Sequence, residues 1–421
     1  MRSVPTLALT AALGVVGLAL APAASAADQD ATVHYLAEQL AVGDNRLVVE
    51  SGGMSYDDLG MTIDAVLGMT ASGTGGDASA AATDYIVANA GTYYGTGDEV
   101  YSAATAKLLT FASARNLNPR DVGGVDLVAK LRSLEQSTGQ FADQSQWGDY
   151  SNTLGQSFAL IGLERAGVNP SSASVDFLLQ QQCDDGGFSL QYTDGCVSDP
   201  DATSLAVQAL GAIGGQGAAV QEAADFLIAR QDANGGIGGG ATTEGINANS
   251  TGLAAVALGV AGRDAARAAA VDYVRSLTFG CDTPALTGAI AYNQADFDAA
   301  VAQGADARPD GTITRTTTQA IMALTNSTYA TVTAQGQTAA TPATGCAPAT
   351  DEPTDEGTGD ADTGSVETPA ADDEATPERP AVVQTDGVTT TAPNALLALG
   401  GGAAAAAIVL VIRRRPALQR H

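Results

Sequence analysis

The sequence predicts an all-α domain of six helical hairpins arranged in two layers, and two observations carry that prediction. A unit recurs about every 42 to 50 residues between about Thr32 and Thr325, the kind of period that marks a repeat architecture. Within each unit an amphipathic helix leads through a glycine-rich loop into a second helix that is apolar nearly all round, and such a helix must be covered on every side. The second helices therefore belong inside and the first helices outside. Periodicity alone leaves an open solenoid and a closed ring equally possible.

The chain opens with Arg2, an apolar run over residues 7–20 and the small-x-small stretch Ala24-Ser25-Ala26, which together read as a signal peptide, residues 1–26, with the mature chain starting at Ala27. The run is too short to span a bilayer, and no twin-arginine pair precedes it, so Sec export is expected. The repeat domain, residues 27–330, follows. Its first helices are announced by Val33-His34-Tyr35-Leu36, Thr83-Asp84-Tyr85-Ile86, Val125-Asp126-Leu127-Val128, Val175-Asp176-Phe177-Leu178, Ala224-Asp225-Phe226-Leu227 and Val271-Asp272-Tyr273-Val274. The second helices are typified by the apolar stretches at residues 203–210 and 251–258.

One motif in these repeats resembles a known family. Phe177-Leu178-x3-Gln182-x3-Gly186-Gly187-Phe188 looks like the QW motif of the terpenoid cyclase and protein prenyltransferase superfamily, with Phe in place of the usual Trp. Phe226-Leu227-x3-Gln231-x3-Gly235-Gly236-Ile237 repeats it, and Gln136-x2-Gly139-Gln140-Phe141 is a shorter copy. The resemblance implies a closed (α/α)6 toroid, in which the glutamine and the aromatic residue brace neighbouring helices. It implies no particular chemistry.

Beyond the repeats the composition changes. Residues 331–393 are Thr, Ala, Pro, Asp and Glu with almost no large apolar side chain, too little to offset ordering entropy, so a disordered acidic stalk is expected there. Residues 395–412 carry no charge and are followed by Arg413, Arg414 and Arg415. At 1.5 Å per residue that run makes roughly 27 Å of helix, enough to cross a membrane core. The expectation is a transmembrane helix at 394–412, with the basic tail at 413–421 inside and the rest of the chain outside. This tail resembles a sortase sorting signal, although Ala392-Pro393-Asn394-Ala395-Leu396 stands where LPxTG would and lacks its threonine. The localisation expected is a single-pass plasma-membrane protein on a Gram-positive-type cell surface.

A formal charge of -28 with 19 Lys and Arg against 47 Asp and Glu argues against nucleic acid as a partner, because that affinity rests on neutralising phosphates. The four cysteines fall outside the membrane, where disulfides are permitted. Four cysteines permit three pairings, and sequence alone does not choose among them; the short loop favours Cys183 with Cys196, with Cys281 and Cys346 then closing a larger loop onto the start of the stalk.

If the second helices form an inner ring, their N-termini converge at one mouth, each with free N–H groups and a partial positive charge. Residues expected there are Asp57, Asp58, Tyr101, Ser102, Tyr150, Asn152, Asp199, Asp201, Asn247, Asn249 and Arg315, with the only tryptophan, Trp147, close by. Capping alone would also select most of these residue types. The candidate ligand-binding set is Asp58, Tyr101, Trp147, Tyr150, Asp199, Asp201, Asn249 and Arg315. Asp199-Pro200-Asp201-Ala202-Thr203 resembles the DxDD acid of class II terpene cyclases with Ala202 in the last Asp's place, so Asp199 and Asp201 are the catalytic candidates if the domain is an enzyme. Such an enzyme also needs aromatic faces against its carbocations, and the chain is 5% aromatic. Prenyltransferase β subunits use a zinc-bound Asp, Cys and His, for which the repeats offer no histidine partner set. Cobalamin carriers are secreted toroids, yet the small β domain that completes their site has no counterpart here. The Asp184-Asp185-Gly186-Gly187 and Asp232-Ala233-Asn234-Gly235-Gly236 loops read as tight turns before calcium sites. No metal or cofactor is expected. The reading is a membrane-anchored surface protein whose toroid binds a small molecule, a glycan or another protein without catalysis. The alternatives are an extracytoplasmic terpenoid-cyclase-like enzyme and a cobalamin-carrier-like binding domain.

Overall fold

The computed structural model describes residues 26–346 except 52, 53, 194, 239 and 241–244. The signal peptide up to residue 25, the stalk beyond residue 346, the transmembrane helix, the basic tail and the sorting-signal position lie outside the described residues. The helices are α1 (Ala26–Val42), α2 (Leu59–Ser72), α3 (Gly76–Ala88), α4 (Ala90–Tyr94), α5 (Ser102–Ala114), α6 (Leu127–Ser133), α7 (Thr153–Arg165), α8 (Ser172–Leu179), α9 (Pro200–Ile213), α10 (Gly217–Ala229), α11 (Ala248–Val260), α12 (Asp264–Ser276), α13 (Gln294–Gln303) and α14 (Gly311–Ala320). Three short antiparallel hairpins join them: β1 (Val48–Ser51) with β2 (Met54–Asp57), β3 (Phe188–Ser189) with β4 (Ser198–Asp199), and β5 (Ile237–Gly238) with β6 (Ile246–Asn247). No helix among the described residues is long and apolar enough to cross a membrane.

The ring closes. Helices α2, α5, α7, α9, α11 and α14 each pack on the next in that order, and α14 packs back on α2. Apart from the threonine-rich α14, these are the helices without a polar face, and the side chains of all six are almost wholly buried. Helices α1, α3, α6, α8, α10 and α12 lie outside them and turn only one side inward. Small residues allow the inner helices to approach closely: a Cβ added at Gly155 of α7 would stand 2.7 Å from the Ala103 side chain of α5. The seam between the last and first repeats is stitched at two depths. Tyr35 Oη of α1 and Thr314 Oγ1 of α14 lie 2.9 Å apart, and Gly288 (φ +85°) would place a Cβ 2.1 Å from the Ala31 carbonyl. Only glycine fits a left-handed turn pressed that tightly onto a neighbouring helix.

The motif glutamines do what the resemblance implied. Gln182 Nε2 donates to Gly186 O at 2.9 Å in its own loop and to Ala219 O at 3.0 Å in α10. Gln231 Nε2 repeats this with Gly235 O at 3.0 Å and Ala266 O at 2.9 Å in α12. Each pair ties one hairpin to the next. The shorter copy departs from the pattern, because Gln136 Nε2 reaches only Leu134 O. There Gln156 of α7 supplies the brace, donating to Gly139 O at 3.0 Å and Ser174 O at 2.9 Å while its Oε1 accepts from Phe141 N. In four of the other repeats a threonine hydroxyl takes that last role, as Thr203 Oγ1 does for Phe188 N and Thr251 Oγ1 for Ile237 N.

Both disulfides form as the spacing favoured, Cys183 with Cys196 and Cys281 with Cys346. The stalk, by contrast, was expected from residue 331, and residues 331–346 are instead bound to the toroid. After α14 the chain runs across the C-terminal ends of the inner helices, where their last carbonyls lack helical partners. Arg165 of α7 donates to Tyr329 O at 3.0 Å and Val332 O at 2.5 Å, Ala334 N to Ala114 O at 2.8 Å, and Thr338 N to Gly73 O at 2.9 Å. Arg115 holds Gln337 Oε1 at 2.6 Å. The strap then passes His34 of α1, whose Nδ1 lies 2.8 Å from Pro342 O, and ends at Cys346. Composition missed it because, apart from those of the Gln337 side chain, most of its bonds to the toroid are made by backbone groups, which carry no sequence signature.

Candidate functional site

The mouth of the toroid is where the inner helices begin. Five of their starts are capped by a side chain: Asp58 for α2, Asn152 for α7, Asp199 for α9, Asn247 for α11 and Asp310 for α14, each accepting from a backbone N–H two or three residues on. Tyr101 stands at the cap position of α5, and Asp143, from the loop that follows α6, accepts from Ser102 N at 2.7 Å in its stead. Capping thus accounts for Asp58 and Asp199, and adds Asp310, which the sequence reading passed over in favour of Arg315. Arg315 lies a turn deeper in α14 and donates to Asp58 Oδ2 at 2.6 Å, joining the last inner helix to the first across the mouth.

The other candidates divide into buried and exposed groups. Asp201, in the first turn of α9, and Asn249, in the first turn of α11, are buried, and Asn249 Nδ2 donates to Gln319 Oε1 of α14 at 2.6 Å. Asp199 Oδ1 accepts from both Asp201 N and Ala202 N, so the motif that resembles a cyclase acid is also a helix start. Asp57 lies outside the ring: burial raises its pKa, but hydrogen bonds from Tyr85 and Arg46 outweigh that and hold the carboxyl below its usual range. In the glycine loops, Asp185 Oδ1 accepts from Gly187 N at 3.1 Å and Asn234 Oδ1 from Gly236 N at 3.0 Å, both turn-forming contacts.

Trp147 stands on the rim and is 62% exposed. Its loop is tightly held. Asp143 Oδ1 accepts from Ser102 N and Oγ, Asp143 Oδ2 from Tyr150 N, and Asp149 Oδ1 from Asp143 N and Ser151 N. Tyr150 Oη donates to Trp147 O at 2.9 Å, and Glu99 Oε1 accepts from Gln146 N at 3.1 Å. Burial raises the Asp143 carboxyl, against which these donated hydrogen bonds act.

Below the mouth the axis carries groups that the sequence reading did not single out. Lys107 of α5 and Asp64 of α2 form an ion pair at 2.7 Å with side chains 4% and 6% exposed. Burial pushes the Asp64 carboxyl up, and Lys107 pulls against it. Tyr93, on α4, lies against Gly60 of α2 and has its phenol raised by burial and by the charges of Asp64 and Asp58. From the opposite end Tyr329 of the strap enters the ring. Its N–H is bound by Gln208 Oε1 of α9 at 3.1 Å, its ring meets Phe158 of α7 edge-on with centroids 5.1 Å apart, and its buried phenol feels the charge of Asp64 on the far side. A signal was available: Asp64 and Lys107 are each the only charge in an otherwise apolar inner helix.

No protein-family model and no curated protein matches this chain. Solved structures do share its fold. A protein from Actinoplanes matches with a TM-score of 0.51 at 18% identity over 70% of this chain and 98% of its own. The type II terpene cyclase MstE from Scytonema matches with a TM-score of 0.51 at 16% identity over 70% and 96%. An unsaturated glucuronyl hydrolase specific for heparin matches with a TM-score of 0.50 at 11% identity over 71% and 95%. At such identities the likeness extends to the (α/α)6 toroid and no further.

Proposed function

We propose that this chain is a binding module tethered to the outer face of the plasma membrane, its toroid offering the mouth as the binding face without catalysing a reaction. The observation that supports this most is the content of the axis. Where a cyclase would need an apolar chamber lined by aromatic rings, this ring holds a buried ion pair, Lys107 with Asp64, and the strap residue Tyr329 reaching across from α9 toward α2. Separating such a pair by an apolar substrate would leave two charges without partners, at a cost of roughly 3–5 kcal/mol. The two disulfides accord with an extracytoplasmic address, and the apolar run at 394–412 would supply the anchor.

The test uses the ectodomain, residues 27–346, and intact cells. Protease shaving of cells should release toroid fragments. The purified ectodomain should leave geranylgeranyl diphosphate unconverted, with Asp201→Asn indistinguishable from the parent. Cyclised product that disappears in Asp201→Asn would establish the enzyme instead, and a corrinoid spectrum in the purified protein would establish the carrier.

A further inference from the structure

The rim of the mouth combines three features that together specify the charge of its partner. Its apolar tips are exposed: Trp147 at 62%, Met54 at 59% beside the first hairpin turn, and Val197 at 66% before β4. The Trp147 loop is set rigidly by the hydrogen bonds of Asp143, Asp149 and Glu99, so an exposed indole is presented with little ordering left to lose on binding. The surroundings are acidic. Asp98, Glu99, Asp143 and Asp149 accompany Trp147, and neither residues 95–106 nor residues 133–164 contain a lysine or arginine. The same rim shows what this pairing of ring and carboxylate accepts, because Arg46 lies over the Tyr85 ring at 5.3 Å and donates to Asp57 at 2.6 Å. Lys130 likewise lies over Tyr94 at 4.6 Å. Among the described residues no cation of this chain lies over Trp147.

Resting on the reading of the toroid as a binding module, we infer that the partner at its mouth is a basic protein segment, whose lysine or arginine side chains lie over Trp147 beside Glu99 and whose apolar neighbours meet Met54 and Val197. A cation over an indole flanked by carboxylates gains both from the ring quadrupole and from the local field. A polyanionic partner would be repelled by the same carboxylates.

Trp147 is the sole tryptophan, so its emission reports on this site without a label. Hexalysine titrated into the ectodomain should quench or blue-shift that emission saturably, and the apparent Kd should rise at least about tenfold between 50 and 200 mM salt. Glu99→Gln keeps an oxygen acceptor for Gln146 N while removing the charge, and should weaken binding about threefold or more. Trp147→Ala, followed by calorimetry and checked for folding by circular dichroism, should weaken it at least about tenfold. Response to a neutral hexasaccharide with none to hexalysine would overturn the cationic assignment while leaving a binding mouth intact. Silence of Trp147 toward hexalysine, hexaglutamate and the hexasaccharide alike would overturn it and count against the mouth as the binding face. Binding of hexalysine unchanged in both variants would place it elsewhere and refute the site.

Discussion

Replacing Lys107 by methionine removes one half of the buried axial pair and leaves the packing volume nearly unchanged. In the parent, Asp64 is fully enclosed and its charge is answered by Lys107 at 2.7 Å, with Lys107 Nζ also reaching Gly60 O at 3.3 Å. Without the ammonium, ionised Asp64 is a buried charge that has lost its direct partner and keeps only the weaker pull of Arg315, a loss of about 3–5 kcal/mol when one partner of such a pair is deleted. At roughly 2 °C per kcal/mol for a domain of this size, melting should fall by about 6–10 °C at pH 7. The pH dependence carries the sharper test. Burial already raises the folded-state pKa of Asp64 above its unfolded value, and loss of Lys107 raises it further. A carboxyl raised on folding favours the folded state when protonated, and that contribution is lost as pH climbs through the folded pKa. The deficit of Lys107→Met should therefore shrink as the pH is lowered from 7 toward 4. Asp64→Asn combined with Lys107→Met should be less destabilised than the sum of the single changes, since neither charge remains. Calorimetric melts of the four proteins at pH 7 and pH 4.5 supply the data. A Lys107→Met protein that melts with the parent at pH 7, or whose deficit is the same at both pH values, would refute the argument.

Further outcomes follow from the braces. Gln231→Ala deletes one hydrogen bond within its own loop and one to the next hairpin, Gln156→Ala deletes three, and each should cost about 1–3 kcal/mol in urea unfolding, whereas Gln136→Ala, which holds only Leu134 O, should cost under about 0.5 kcal/mol. Equal effects at 136 and 156 would show the brace misassigned. Changing both Cys281 and Cys346 to serine opens a link across 65 residues, at a cost of about 2–4 kcal/mol, and limited proteolysis should then cut first within 333–346. Gly235→Ala, whose Cβ would meet Ala269 O at 2.1 Å at a positive φ, should give little folded protein on expression, and a soluble variant with the parent's melting point would count against the close approach. Relative to its effect on free N-acetyltryptophanamide, iodide should quench Trp147 less than caesium does, by about twofold, if the rim carboxylates set the local field.

Much of this protein was legible in its residues because the relevant physics is local or periodic. An apolar face repeating on one helix and apolarity all round on the next separate outer from inner helices before any coordinates exist, since each pattern states how much of a helix must leave water. Glycine at position 235 and glutamine at 231 likewise announce their roles, because few other residues adopt that turn or bridge that gap. The short loop between Cys183 and Cys196 pointed to its own bridge. What the sequence by itself could not determine was which distant groups would meet. Asp64 and Lys107 are 43 positions apart, and they become partners only because α2 and α5 are neighbours in a closed ring. Gln156 took the place of Gln136 because its inner helix carried it within reach of both Gly139 O and Ser174 O. The strap had the composition of a linker, and only the unpaired carbonyls and arginines at the floor of the ring turned residues 331–346 into part of the domain. Composition and period specify how much surface each segment must bury, whereas the partner that buries it is chosen by closure of the ring.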